Sequence, residues 1–168
     1  MRAATRADLE RIREIYNQGI EDREATLDTE PKSAAFIDAW FAEHGGRYEI
    51  LVAEEAGRVV GWVSLNRYSH RCAYDGVADL SVYVDRALRA KGIGACLLRA
   101  IEERARMHGF HKIVLFTLPF NALGQALYGK LGYREVGAFK EHGKLDGRLV
   151  DVMAMEKILE RSSSSKRG

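Results

Sequence analysis

Apolar positions along this chain switch between helical and extended spacing, and the switches predict the order of its elements. Arg2 to Ala4 is expected as a short strand, and Thr5 with Asp8 three residues on marks a helix start. Leu9, Ile12, Ile15, Tyr16 and Ile20 then recur at helical intervals. A second helix is expected after Pro31 and Ser33, turning Phe36, Ile37, Trp40 and Phe41 inward and stopping at Gly45-Gly46. Strands follow at Tyr48–Glu54 and Arg58–Asn66, joined by a tight turn at Glu55-Ala56-Gly57. Around Asp79–Val84, polar Asp79, Ser81 and Tyr83 alternate with apolar Leu80, Val82 and Val84, so the polar three share one sheet face. Ile93, Leu97, Ile101 and Ala105 line one side of a third helix that Gly109 ends. Lys112–Leu118 is nearly unbroken in its apolar character, the pattern of a strand covered on both faces. A short helix from Asn121 to about Leu131 stops at Gly132, and strands Tyr133–Lys140 and Arg148–Lys157 meet through Asp146-Gly147. The order β-α-α-β-β-β-α-β-α-β-β is that of an α/β (α+β) chain, a mixed central sheet of about seven strands with helices on both faces.

Composition changes this picture little. At 168 residues the chain is expected to form one domain over residues 1–159, followed by a disordered tail at 160–168 that holds Ser162 to Ser165. Apolar and charged shares of 46% and 30% are those of a soluble globular protein. With no run of eighteen apolar residues and no signal-peptide pattern, a cytoplasmic protein is expected. A net charge of +2, without an arginine-rich stripe, argues against nucleic acid as a partner. Cys72 and Cys96 lack metal-type spacing and are expected to be reduced and packed. No histidine pair with a carboxylate has ligand spacing, so no metal is expected. His70 and His142 fall in predicted turns, whereas His44, His108 and His111 fall near helix ends, where the dipole suits them. Asp151 reads as a hydrogen-bonded structural carboxylate.

The chemistry concentrates at Arg89-Ala90-Lys91-Gly92-Ile93-Gly94, between the strand at 79–84 and the helix opened by Ala95 and Cys96. Two glycines let backbone approach an anion, and a helix start offers unpaired N–H groups and a positive dipole end to a pyrophosphate. A Gly-x-Gly before a helix is also a common tight turn. A dinucleotide fingerprint is missing its third glycine, and no Lys-Ser/Thr pair follows as in a P-loop.

As Arg/Gln-x-x-Gly-x-Gly/Ala, the segment resembles motif A of the GNAT acyltransferases, and the element order resembles the GNAT fold from the first strand to Leu159. Ile15-Tyr16-Asn17, Ala25 to Pro31, Arg71-Cys72-Ala73-Tyr74, Asp79 to Val84 and Val150-Asp151-Val152 are similar to the phosphinothricin acetyltransferase branch of amino-acid N-acyltransferases. Phe116 to Gln125, Asp146-Gly147-Arg148 and Asp151 to Lys157 further resemble the arsinothricin N-acetyltransferase subgroup.

This resemblance implies an acetyl-CoA-dependent N-acetyltransferase acting on the α-amino group of a small glutamate-like antibiotic: arsinothricin first, phosphinothricin or methionine sulfoximine next. Acetyl-CoA would be held by Val82, Tyr83 and Val84 in a bulged, splayed strand, by Arg89, Ala90, Lys91, Gly92, Ile93, Gly94 and Ala95, and by Asn121. A main-chain N–H near Val82 or Tyr83 would meet the oxyanion. The family's usual base is Glu, here replaced by Asp79, which is shorter by roughly 1.5 Å and works through a longer water relay or a shifted substrate. Tyr128, seven residues after Asn121 and on the same helical face, would protonate the leaving thiolate. That site is often His in this branch, and a packing tyrosine is the other reading. Arg71 would bind the substrate carboxylate, or else be a surface arginine, and Thr26, Leu27, Asp28 and Thr29 would close the pocket. A homodimer is implied as well. Two other functions stay open, acetylation of a peptide or protein N-terminus and a non-catalytic acyl-CoA-binding module.

Overall fold

The computed structural model describes residues 1–160. The tail expected at 160–168 lies, from residue 161 onward, outside the described residues. Strand β1 (Arg2–Ala3) leads through a single 3-10 turn into helix α1 (Leu9–Glu21). The Asp8 carboxylate accepts the Thr5 N–H at 2.8 Å and both arms of Arg2, which ties the first strand to the first helix. Helix α2 (Ala34–Glu43) starts where Ser33 Oγ accepts the Phe36 N–H at 3.1 Å. Of its four expected inward residues only Ile37 is fully buried. Phe36 is instead 43% exposed and lies beneath the Lys32 ammonium, 4.5 Å from its ring centre. A cation over the ring supplies the favourable contact that burial was expected to give.

Strands β2 (Ile50–Glu55), β3 (Arg58–Arg67) and β4 (Val77–Val84) precede helix α3 (Ile93–Met107), strand β5 (Lys112–Thr117) and helix α4 (Ala122–Lys130). Strands β6 (Arg134–Leu145) and β7 (Arg148–Ile158) complete one seven-stranded sheet in the order β1-β2-β3-β4-β5-β7-β6. Only β4 and β5 pair in parallel. On one face Ile12 and Ile15 of α1 pack with Ile50, Val52 and Trp62. On the other, Leu97, Leu98, Ile101 and Ala105 of α3 cover Leu51, Val63, Leu65, Leu80 and Leu115. The helical spacing of α3 and the alternation of the strands thus meet in one core.

The sheet opens in one place. β4 pairs with β5 only from Val77↔Lys112 to Asp79↔Val114, although β4 continues to Val84. The opening does not come from the expected bulge. Between β3 and β4 pairing is one-to-one from Arg67↔Ala78 to Gly61↔Val84, whereas a bulge sets two residues against one. The splay arises entirely on the β5 side.

Four other expectations change. β6 runs on past Lys140, and register shifts between Glu135 and Gly137 and between Phe139 and Gly143 let it do so. His142 is therefore in a strand, stacked on Phe139 at 4.5 Å, and not in a turn. Phe116 on β5 is 44% exposed, because the sheet face at that end of β5 looks into a cavity. Cys72 and Cys96 are both free and exposed, where packing was expected: Cys72 lies in a surface 3-10 turn and Cys96 on the outer side of α3.

Candidate active site

The gap beside β4 is a backbone feature with a definite phase. The Asp85 N–H donates to the Val60 carbonyl at 2.9 Å, so in the alternating antiparallel ladder Tyr83 directs its backbone groups at β3. Val82 and Val84 direct theirs into the gap. Arg89 Nε donating to the Val84 carbonyl at 3.4 Å agrees with that phase. Of the Val82 and Tyr83 amides, the register turns that of Val82 into the gap.

At the mouth of the gap Gly92 caps α3 with φ of 88°, a conformation that favours glycine. The first bond of α3 runs from the Cys96 N–H to the Gly92 carbonyl, so the amides of Ile93, Gly94 and Ala95 have no partner within the helix. A Cβ on Gly94 would come within 2.9 Å of Leu127 Cδ2, which explains why α3 and α4 can approach there. Ala90 is also left-handed, at φ 61°, and completes the tight loop. These free amides suit a pyrophosphate.

A groove of about 350 Å³ follows from this cradle along β4 to α4. Val82, Tyr83, Val84, Arg89, Ala90, Gly92, Gly94, Ala95, Asn121 and Tyr128 all line it. Lys91 and Ile93 do not. Lys91 is exposed outside the cradle, and Ile93 packs on the core beside Gly61 because it starts the buried stripe of α3. Arg89 is held by an ion pair with Asp22 at 2.5 Å, a groove-lining residue of the α1 C-cap with no sequence signal. Burial opposes ionisation of Asp22, but Arg86 and Arg89 outweigh it and keep the carboxyl below its usual range.

Asn121 is the N-cap of α4. Its Oδ1 accepts the Gly124 N–H at 3.0 Å and its Nδ2 donates to Thr117 Oγ1 at 3.1 Å. Tyr128 faces the groove and touches Tyr133 edge-on at 5.9 Å. Burial pushes its phenol up to about 12, which keeps the hydroxyl protonated at neutral pH.

Asp79 stands opposite Asn66 of β3, and Asn66 Nδ2 donates to Asp79 Oδ2 at 3.1 Å and to Ser81 Oγ at 3.0 Å. Burial raises the Asp79 carboxyl to about 6, with Asn66 and the Leu80 N–H partly opposing the shift. Such a group exchanges protons near neutrality, as a general base must.

Asp79 also lies where two further cavities meet. One, of about 580 Å³, holds Arg67, Tyr68, Arg71, Tyr74 and Phe116. The other, of about 280 Å³, holds Tyr16, Thr26, Leu27, Ser81 and Tyr83, and shares Asp79 and Phe116 with the first. Through Tyr83 and Ala25 it continues into the groove beside β4. A path therefore leads from the cradle past Asp79 to Arg71. Asp28 and Thr29 do not line it as expected. Asp28 accepts from the Tyr16 hydroxyl at 2.7 Å and pairs with Lys32, and the Thr29 carbonyl accepts from Arg23, so both hold the loop in shape. Asn66, Tyr68, Tyr74 and Phe116 were missed. Only Asn66 had a readable signal, as a polar residue closing an apolar strand.

Among the described residues no group of three or more His, Cys, Asp or Glu side chains is arranged to hold a metal, and no helix is long and apolar enough to cross a membrane. The sequence pattern of the acetyltransferase (GNAT) family matches residues 9–133. The Bacillus subtilis protein YwnH is 35% identical over 165 residues, 98% of this chain and 99% of its own length. The L-methionine sulfoximine/L-methionine sulfone acetyltransferase of Pseudomonas aeruginosa is 34% identical over 167 residues, 98% of this chain and 97% of the relative. A crystal structure of a phosphinothricin acetyltransferase from Sinorhizobium meliloti in complex with acetyl-CoA superposes with a TM-score of 0.89 at 30% identity, covering 98% and 90% of the two chains. The splayed sheet, the glycine cradle and these near full-length likenesses converge: the chain belongs to the acetyltransferase (GNAT) family and is an N-acetyltransferase.

Proposed function

We propose that the protein transfers the acetyl group of acetyl-CoA to the α-amino group of a small glutamate-like amino acid, arsinothricin first, with phosphinothricin or methionine sulfoximine next. The observation that carries this reading is the position of Asp79, between the groove beside β4 and the cavity holding Arg67 and Arg71. The Arg71 guanidinium at that cavity is assigned to the α-carboxylate, whereas the Arg67 guanidinium lies over the Tyr48 ring, 5.4 Å from its centre.

Acetyl-CoA, as co-substrate, supplies the activated thioester. The amides at the start of α3 would hold its pyrophosphate, and the Val82 and Val84 backbone would pair with the pantetheine like an added strand. A peptide α-amino group titrates at about 8 and that of a free amino acid, beside its own carboxylate, higher, so the substrate ammonium first releases one proton to solvent water and attacks as the neutral amine. The amine nitrogen attacks the carbonyl carbon, its proton passes to Asp79 through water, and the Val82 N–H stabilises the oxyanion. As the C–S bond breaks, the thiolate takes the Tyr128 proton. We extend the proposal to a homodimer, for which the exposed Val136 and Phe139 of the edge strand β6 offer an apolar face.

Incubation with acetyl-CoA and arsinothricin, followed by mass spectrometry, tests the chemistry. One acetyl group on the α-nitrogen is expected. Acetylation of a short peptide in preference to the amino acid would overturn the substrate class.

A further inference from the structure

Behind Asp79 a line of polar side chains crosses β3 to α2. His44, the C-cap of α2, sets Nδ1 2.7 Å from the Trp40 carbonyl and Nε2 2.9 Å from Asn66 Oδ1. That Oδ1 also accepts from Ser64 Oγ at 2.9 Å. The amide's two hydrogens go to Asp79 and Ser81.

Donor bookkeeping couples the states of the groups along this line. A carbonyl only accepts, so His44 Nδ1 carries a hydrogen toward Trp40. When Asp79 is ionised, turning the Asn66 amide over would set its oxygen against the carboxylate, so Oδ1 faces His44 and Nε2 carries a hydrogen as well. An imidazole with two N–H groups is an imidazolium. The Trp40 ring, tilted against that of His44 at 4.8 Å, is a favourable neighbour for the cation.

We propose that His44, doubly protonated, is a positioning residue for Asp79: through the Asn66 amide it presents two N–H donors to the Asp79 side and holds that group as the carboxylate that receives the amine proton. The inference rests on Asp79 being the base. With a neutral His44, Nε2 becomes an acceptor and attracts the Asn66 NH2 group, and the amide oxygen then faces Asp79, an arrangement suited to the protonated acid. Two orientations of one amide thus couple the two charges. The other titratable or charged groups around Asp79 are Arg67, Tyr68, Arg71 and Tyr74 in its cavity, Tyr83 next along its face of β4, and Tyr16 from α1. Among the described residues His44 forms no ion pair, Glu43 being its chain neighbour, whereas His108 pairs with Glu49.

The test combines pH profiles of kcat with a direct view of the ring. His44→Phe is expected to lower kcat about tenfold at neutral pH and to move the acidic limb up by about one pH unit, leaving KM for acetyl-CoA unchanged. His44→Gln, whose NH2 group still donates to Asn66, is expected to regain most of the rate. Nitrogen-15 spectra of the wild-type protein at its pH of maximal activity should show both His44 ring nitrogens protonated, a readout independent of whether any variant folds. A single protonated nitrogen, or an unmoved acidic limb in both variants while Asp79→Asn is inactive, overturns the inference alone. An Asp79→Asn enzyme that keeps its rate instead overturns the base assignment on which the inference rests.

Discussion

Asn66 and Asp79 face each other across β3 and β4, and the Asn66 amide donates to the Asp79 carboxylate at 3.1 Å. This bond opposes the burial that raises the acid to about 6. Asn66→Ala, which removes the donor, is expected to move the acidic limb of the pH–rate profile upward, by about one pH unit. A profile that stays in place would show that Asn66 does not act on the ionisation that limits the rate.

Asp79 also makes stability depend on pH, in the direction opposite to a salt-bridged carboxylate. The unfolded chain releases this proton near 3.8 and the folded protein near 6, so stability falls as pH rises between those values and stays lowered above them. The cost is on the order of 3 kcal/mol. Asp79→Asn is therefore expected to melt at a higher temperature than the wild type at pH 8, to match it near pH 3.5, and to lose activity by about a hundredfold or more. Equal melting temperatures at pH 8 would contradict the buried-carboxylate account.

Gly92, at φ 88° with nothing within 4 Å of an added Cβ, is required by its backbone and not by space. Gly92→Ala should cost about 1 kcal/mol of stability and raise KM for acetyl-CoA several-fold, with kcat little changed. Calorimetry and initial rates check both halves.

Tyr128 donates from a buried phenol or merely packs. Tyr128→Phe keeps the ring and removes the proton. A fall in kcat of about tenfold with both KM values unchanged supports proton donation to the thiolate, and an unaltered kcat assigns the residue to packing.

Arg71 is exposed and its guanidinium is not engaged in an ion pair among the described residues, as a substrate-binding cation requires. Arg71→Ala is expected to raise KM for the amino acid about tenfold or more while leaving KM for acetyl-CoA alone, with Arg71→Lys intermediate because an ammonium lacks the bidentate fork. Parallel changes in both KM values would place Arg71 outside the substrate pocket.

What was readable in the chain was local. The cradle showed because Gly92 and Gly94 are both needed there, one for φ and one for the contact with Leu127, and the shared face of Asp79 and Ser81 followed from strand alternation. What was hidden depends on residues far apart. Arg89 meets Asp22, and Asp79 meets Asn66, only once α1, β3 and β4 are stacked. Asp28 and Thr29 belonged to the right loop, but which of its side chains turn inward is decided by Tyr16, Lys32 and Arg23. The absence of a bulge between β3 and β4 was equally invisible, since a splay can arise from either edge of a strand.

The central claim is tested most directly by following thiol release from acetyl-CoA with arsinothricin, phosphinothricin, methionine sulfoximine, common amino acids and a short peptide. The account predicts selective turnover of a glutamate-like analogue, arsinothricin foremost. Preferential turnover of the peptide, or silence across the whole panel despite acetyl-CoA binding, would contradict it.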